Sequence, residues 1–154
     1  MLVERSVYDR AVEIAEQVAE GTKVGSAHDA GRHIGPVVNK RQWDQIQGYI
    51  QKGIDEGATL VAGGVGLPEG VNKGFYVRPT IFADVTNDMT IAREEIFGPV
   101  IAILRAKDLD EAFALVNGTD YALTGGLFSR SPRALERAQQ ELLVGNLYLN
   151  RAIT

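Results

Sequence analysis

The chain has 154 residues, 45% of them hydrophobic and 23% charged, with a formal net charge of −4 and no cysteine. That is the size of one ordinary globular domain with enough apolar material for a core, so a folded chain is expected. The acidic balance argues against a polyanion-binding surface, since basic pairs such as Lys40-Arg41 stand isolated among acids; nucleic acid is not an expected partner. No apolar run approaches the roughly 20 residues of a membrane span, and MLVERSVYDR has no apolar core of a secretory signal, so the expected compartment is cytoplasmic, with no membrane partner. Without cysteine, disulfides, thiolate zinc sites and thiol nucleophiles are excluded within these residues.

In chain order, Ser6-Val7-Tyr8-Asp9 has capping-box spacing, and Val7, Ala11, Ile14, Ala15 and Val18 then share one helical face until Gly21. Asn39 to Gln42 repeats the cap pattern, and Trp43, Ile46, Ile50 and Ile54 form the next stripe, closed at Gly57. Ala58 to Ala62 is β-branched and followed by paired glycines, which predicts a buried strand. Phe75 to Val85 is extended but carries Pro79, which predicts an edge, a bulge or two short strands. Gly98 to Ala106 has the pattern of a central strand.

Asp108 and Glu111 cap a helix bearing Leu109, Ala112, Phe113 and Val116, which ends at Asn117-Gly118. Leu123 to Ser129 is a further strand. Ser131-Pro132 sets a cap and a first-turn proline before Leu135, Ala138 and Leu142, and Asn146 to Asn150 forms the last strand. Alternating strands and helices predict a single α/β domain over residues 1–154, a mostly parallel sheet flanked by helices with right-handed crossovers.

Most candidate sites favour ordinary readings. Gly63 to Gly70, GGVGLPEG, follows a strand, but its spacing is not that of a dinucleotide-binding turn and Pro68 with Gly70 prevents a helix from opening there, so a surface loop is expected. His28 and His33, with Asp29 between them, are too few convergent ligands for a metal. Ser6 and Ser131 have the positions of helix caps, and no Gly-x-Ser-x-Gly elbow is present.

Glu94 and Glu95 differ from these because of the residues next to them. By composition alone, paired acids before a strand are a solvated feature. A carboxylate nonetheless has two acceptor oxygens that suit a vicinal diol, and an aromatic two residues later can pack on a planar ring. Glu95 with Phe97 could therefore hold a nucleoside by sugar and base together.

Arg93-Glu94-Glu95-Ile96-Phe97-Gly98-Pro99-Val100 resembles the EEIFGPV signature of the aldehyde dehydrogenase superfamily. Ile34-Gly35-Pro36-Val37-Val38 resembles its IGPVV segment, Glu56-Gly57-Ala58 and Ala62-Gly63-Gly64 its helix-to-strand passage, Gly74 to Thr80 its GF-x-x-x-PT motif, and Gly145 to Asn150 its G-x-x-x-x-N strand. The motifs stand in family order and spacing along essentially the whole chain.

The resemblance implies roles. The second glutamate of the signature, Glu95, binds the ribose of the nicotinamide half of NAD or NADP, and Phe97 contacts the nicotinamide region; Glu94 has no such assignment and is solvated or paired with Arg93. The implied chemistry is attack of a cysteine thiolate on a small-molecule aldehyde, hydride transfer to the nicotinamide, and hydrolysis of the thioester by a glutamate-activated water. Homo-oligomerisation is implied as well.

Where the chain departs from the family, the resemblance also sets expectations. Met1 to Glu4 resembles the strand after the catalytic cysteine, so the nucleophile, the general base and the cofactor domain are expected upstream of these residues, and the family's PFGG segment downstream. These residues alone are then expected to be inactive, with no catalytic residue of their own and weak or absent cofactor binding. The second half is similar to 1-pyrroline-5-carboxylate (glutamate semialdehyde) dehydrogenases, whereas Asn39 to Gly64 resembles broad-specificity members. The competing expectation is a non-catalytic module that binds aldehyde dehydrogenase subunits through exposed sheet edges.

Overall fold

The computed structural model describes residues 1–26, 28, 30–31 and 33–151. The elements are β1 (Leu2–Glu4), α1 (Tyr8–Gly21), α2 (Lys40–Asp55), β2 (Thr59–Ala62), β3 (Thr80–Ala83), α3 (Thr90–Arg93), β4 (Val100–Ala102), β5 (Leu104–Ala106), α4 (Leu109–Asn117), β6 (Thr124–Leu127), α5 (Pro132–Glu141) and β7 (Asn146–Leu149). They fall into two compact units, Met1–Arg105 and the residues from Ala106 onward.

In the first unit β3 lies between β2 and β4, antiparallel to the former and parallel to the latter. Every residue of β3 is buried, as a middle strand covered on both faces requires. Successive strand side chains point to opposite faces. Ile81 accordingly joins Tyr8, Ala19 and Ile103 in one core, while Phe82 joins Ile46, Ile50, Val77 and Ile91 in another. α1 supplies the first core and α2 the second, giving a helix-sheet-helix layering. Gly63 makes close approach possible beside β3: at φ +80°, a Cβ there would meet the Pro79 carbonyl at 2.2 Å and Thr80 Oγ1 at 2.5 Å.

Four local expectations are corrected. β2 is not a buried strand, because it lies at the edge of its sheet with Thr59 and Leu60 exposed. The segment from Gly98 to Ala106 is not one strand but changes partner at Ile103. Its N–H donates to the Phe82 carbonyl at 2.8 Å, and the next N–H, of Leu104, donates to the Met1 carbonyl at 2.9 Å; β4 thus pairs with β3 and β5 with β1. Ser6 does not cap α1, because its hydroxyl donates to the Glu4 carboxylate and Val7 occupies the cap position without a side-chain bond. The buried stripe of α1 runs through Tyr8, Val12, Ala15 and Ala19, leaving Val7, Ile14 and Val18 exposed.

The other caps form as expected. Asn39, Asp108 and Ser131 accept from the backbone N–H groups of Gln42, Glu111 and Ala134. In two of them the return bond lands one residue earlier than in a capping box: Gln42 accepts from Val38 N–H at 3.0 Å and Glu111 from Lys107 N–H at 2.6 Å.

In the second unit β6, α5 and β7 make a β-α-β unit with parallel strands, in register from Thr124–Asn146 to Leu127–Leu149. Asn117 closes α4 by accepting from Leu143 N–H at 2.9 Å and donating to the Glu141 carbonyl at 2.7 Å. Arg137 on α5 binds Asp110 of α4 at 2.8 Å and Glu141 at 2.6 Å, and these carboxylates hold its guanidinium above the ordinary value. The α/β architecture with flanking helices and parallel pairings is the one expected from the alternation of elements.

Candidate cofactor-facing site

The Glu94–Pro99 segment is held from both sides by features that begin elsewhere in the first unit. On the N-terminal side stands α3, too short at 4 residues to persist by itself. Its first turn is capped from a distance by Glu56, which accepts from Thr90 N–H and from the Thr90 hydroxyl, each at 2.7 Å. The hydroxyl bond is the main cause that holds the Glu56 carboxyl below its ordinary value; desolvation opposes it, and the Thr90 N–H and Lys52 add to it. Glu94 N–H then closes the turn on the Thr90 carbonyl at 2.9 Å, and the backbone leaves the helix in extended conformation.

Exposure alternates from Glu95 to Phe97. Glu95 is exposed, Ile96 is half-buried against the α2-side core, and Phe97 is 68% exposed. Gly98 N–H donates to the Ile96 carbonyl at 2.7 Å, so Phe97 sits at the centre of a tight three-residue turn. The Phe97 carbonyl accepts from Gln42 Nε2 at 2.8 Å, and the Pro99 carbonyl accepts from Thr80 N–H at 2.8 Å. Gly98 lies against α2 so closely that a Cβ would fall 2.7 Å from Ile46 Cδ1. The main chain is therefore committed at Ile96, Phe97, Gly98 and Pro99.

The side chains are not committed. Among the described residues neither the Glu94 nor the Glu95 carboxylate has a hydrogen-bond or ion-pair partner, and Arg93 does not pair with Glu94. A carboxylate with all its acceptor positions open and an aromatic face open to solvent stand two residues apart on a pinned backbone. Such an arrangement can accept hydrogen bonds from a diol and cover a planar ring without prior rearrangement.

The remaining candidates make local contacts of their own. Gly63 to Gly70 forms no helix, and its glycines at 63, 64, 66 and 70 all adopt positive φ. His33 Nε2 lies 2.5 Å from the Ser26 carbonyl, His28 N–H donates to Ser26 Oγ at 3.2 Å, and Asp29 lies outside the described residues. Ser131 caps α5.

Gln42 and Glu56 shape the site, and sequence reasoning gave them other places. Gln42 was legible as part of a cap, but nothing in its neighbourhood signals a bond to a carbonyl 55 positions away. Glu56 was legible as the end of α2, yet its partner lies 34 positions on.

Residues 1–154 match the model of the aldehyde dehydrogenase family. An aldehyde dehydrogenase structure from Bartonella henselae is 50% identical with a TM-score of 0.97, over 100% of this chain and 32% of that one. A 1-pyrroline-5-carboxylate dehydrogenase from Thermus, solved with bound NAD, is 40% identical with a TM-score of 0.91, over 99% and 29%. A provisionally named aldehyde dehydrogenase of Staphylococcus aureus (strain MSSA476) is 42% identical over 153 residues, 99% of this chain and 32% of its own length. The chain thus spans about a third of the length of these relatives. With its signature segment pinned as described and a match along every residue, the chain belongs to the aldehyde dehydrogenase family.

Proposed function

We propose that these residues form the nicotinamide-ribose side of the NAD(P) site of an aldehyde dehydrogenase, with Glu95 as ribose ligand and Phe97 against the nicotinamide region. The carrying observation is that Glu95 has no partner among the described residues while the main chain after it is fully held. Its two oxygens would accept from the two hydroxyls of the ribose, and Phe97 would shield one side of the ring from water. When bound, the cofactor accepts the hydride that leaves the aldehyde carbon. The NAD bound to the Thermus relative favours NAD over NADP.

The 154 residues act in this reading as one part of a catalytic domain, in a cytoplasmic homo-oligomer whose substrate is an aldehyde. The 1-pyrroline-5-carboxylate dehydrogenase relative, together with the similarity of the second half of the chain, favours glutamate semialdehyde. The residues carry no thiol, so by themselves they supply cofactor contacts and no nucleophile. The test is to place them in the matching third of the Bartonella henselae protein and compare Glu95→Gln with the unaltered chimaera. A fall in NAD+ affinity or in hydride-transfer rate is expected, and unchanged values for both would end the ribose assignment. The 154-residue chain alone is expected to form no NADH from aldehyde above a blank.

A second reading, a non-catalytic partner of aldehyde dehydrogenase subunits, draws on the exposed apolar residues Ile14 and Val18 of α1 and Val7 at its cap. Co-purification of the 154-residue chain with a full-length relative, lost on Val18→Glu, would favour it.

A further inference from the structure

On the α1 side of the first unit, away from the Glu95 segment in sequence, a cleft of about 650 Å³ opens between the end of α1 and the Gly63–Gly70 loop. Its lining combines Arg78, Glu20 and Glu69 with an apolar surface that includes Val24, Leu67 and Pro68. Arg78 is half-buried and fixed: Nε donates to the Leu67 carbonyl at 2.7 Å. Its other guanidinium N–H groups have no partner among the described residues. Neither Glu20 nor Glu69 pairs with it, although both line the same cleft.

The loop wall is held as well. Gly64 N–H donates to Thr80 Oγ1 at 3.1 Å and Gly66 N–H to Gln47 Oε1 at 2.5 Å, which anchors the first half of the loop. A half-buried guanidinium with unused donors is a ready bidentate partner for a carboxylate. The two glutamates decide what else the ligand carries. A simple anion would meet Arg78 together with two negative charges, and a simple cation would meet both glutamates together with Arg78. A molecule with a carboxylate and an ammonium satisfies both, and the apolar lining suits a hydrocarbon side chain.

We propose that this cleft binds a free α-amino acid with an apolar side chain, its carboxylate on Arg78 and its ammonium toward Glu20 and Glu69. The volume is ample for such a molecule. The proposal is independent of the cofactor assignment, since it shares no residue with Glu95 or Phe97.

Calorimetric titration of the 154-residue chain with L-leucine, isocaproate and isoamylamine tests it. The three share a branched hydrocarbon body and differ in which charged groups they carry. Saturable binding of L-leucine is expected, with isocaproate and isoamylamine each about tenfold weaker, and Arg78→Gln should weaken L-leucine by about the same factor. Replacing both acids, Glu20→Gln with Glu69→Gln, should erase the preference for L-leucine over isocaproate. Absence of saturable L-leucine binding, equal binding of isocaproate, or indifference to Arg78→Gln in a folded variant would each overturn the proposal. If Arg78→Gln does not fold, as judged by circular dichroism, the ligand series on the unaltered chain decides alone.

Discussion

Gln42 joins two termini at once: its Oε1 accepts from Val38 N–H at 3.0 Å, before α2 begins, while its Nε2 donates to the Phe97 carbonyl at 2.8 Å. One side-chain amide thereby fixes the entry to α2 and the turn that presents Phe97. Gln42→Glu keeps the first bond and removes the second, placing a carboxylate against a carbonyl oxygen. We expect a loss of about 1–2 kcal/mol in urea unfolding. Gln42→Met, which loses both bonds but adds no charge, should cost no more than Gln42→Glu. A Gln42→Glu variant as stable as the original chain would show that the Phe97 bond contributes nothing.

Gly98 is required by packing. A methyl group there would meet Ile46 Cδ1 at 2.7 Å and Cγ1 at 3.0 Å, and Ile46 is 1% exposed with no room to withdraw. Gly98→Ala should therefore destabilise by about 1–3 kcal/mol, as overpacking does. Ile46→Val removes Cδ1, so the double substitution should cost less than the sum of the single ones. Strict additivity in denaturant unfolding would count against the contact.

The Glu56–Thr90 cap makes a pH prediction with a definite sign. The folded-state value of Glu56 lies below the ordinary 4.5, so its contribution is complete above that value and is lost as pH falls through the folded one. Glu141, held down chiefly by its bond to Arg137, behaves in the same direction. Stability should thus decline on the acid side, and Glu56→Gln should shift the unfolding midpoint near neutral pH while flattening that decline. The check is a series of urea transitions from about pH 7 to about pH 3. An acid-side slope unaffected by Glu56→Gln would refute the cap as its source.

These contacts show where the sequence was legible. Caps at Asn39, Asp108 and Ser131 are local, decided within three residues, and each forms where expected. The stripe of α2 is legible through Trp43, Ile46 and Ile50, which reach one core, but not at Ile54, which is as apolar as Ile46 and Ile50 and is exposed near the helix end. α1 is different: Val7, Ile14 and Val18 compete with Tyr8, Val12, Ala15 and Ala19, and periodicity alone does not choose between two apolar faces. Tyr8 chooses, since its hydroxyl accepts from Asp84 N–H at 2.6 Å and donates to the Ile103 carbonyl at 3.0 Å, contacts made 76 and 95 positions away. The change of partner at Ile103 is hidden for the same reason. The signature segment could be located from its residues, but the bonds that hold it come from Gln42, Thr80 and Glu56, and the close packing from Ile46.

In the second unit Asn150 carries φ +53°, a conformation asparagine tolerates better than most residues. Its side chain accepts from Ser129 N–H at 2.8 Å and donates to the Ser129 carbonyl at 2.9 Å, tying the end of β7 to the residues after β6. Asn150→Asp keeps the acceptor and loses the donor, and should cost about 1–2 kcal/mol. Asn150→Gly relieves the backbone but loses both bonds. Asn150→Asp as stable as the original chain would show that the bond donated to the Ser129 carbonyl is idle.

Phe97 allows folding and binding to be separated. A ring 68% exposed has little buried area to lose, so Phe97→Ala should change unfolding free energy by no more than about 0.5 kcal/mol. Its main-chain bond to Gln42 survives the substitution, because the carbonyl and not the ring accepts it. In the chimaera with the Bartonella henselae protein, the same change should weaken NAD+ binding or slow hydride transfer, whereas Glu94→Gln, next to the proposed ribose ligand, should do neither. That contrast distinguishes a placed ligand from a merely acidic surface: a general charge effect would make Glu94→Gln and Glu95→Gln alike, and would leave Phe97→Ala without consequence. Equal effects of the two glutamine substitutions on NAD+ affinity would point to the charge effect and remove the special role of Glu95.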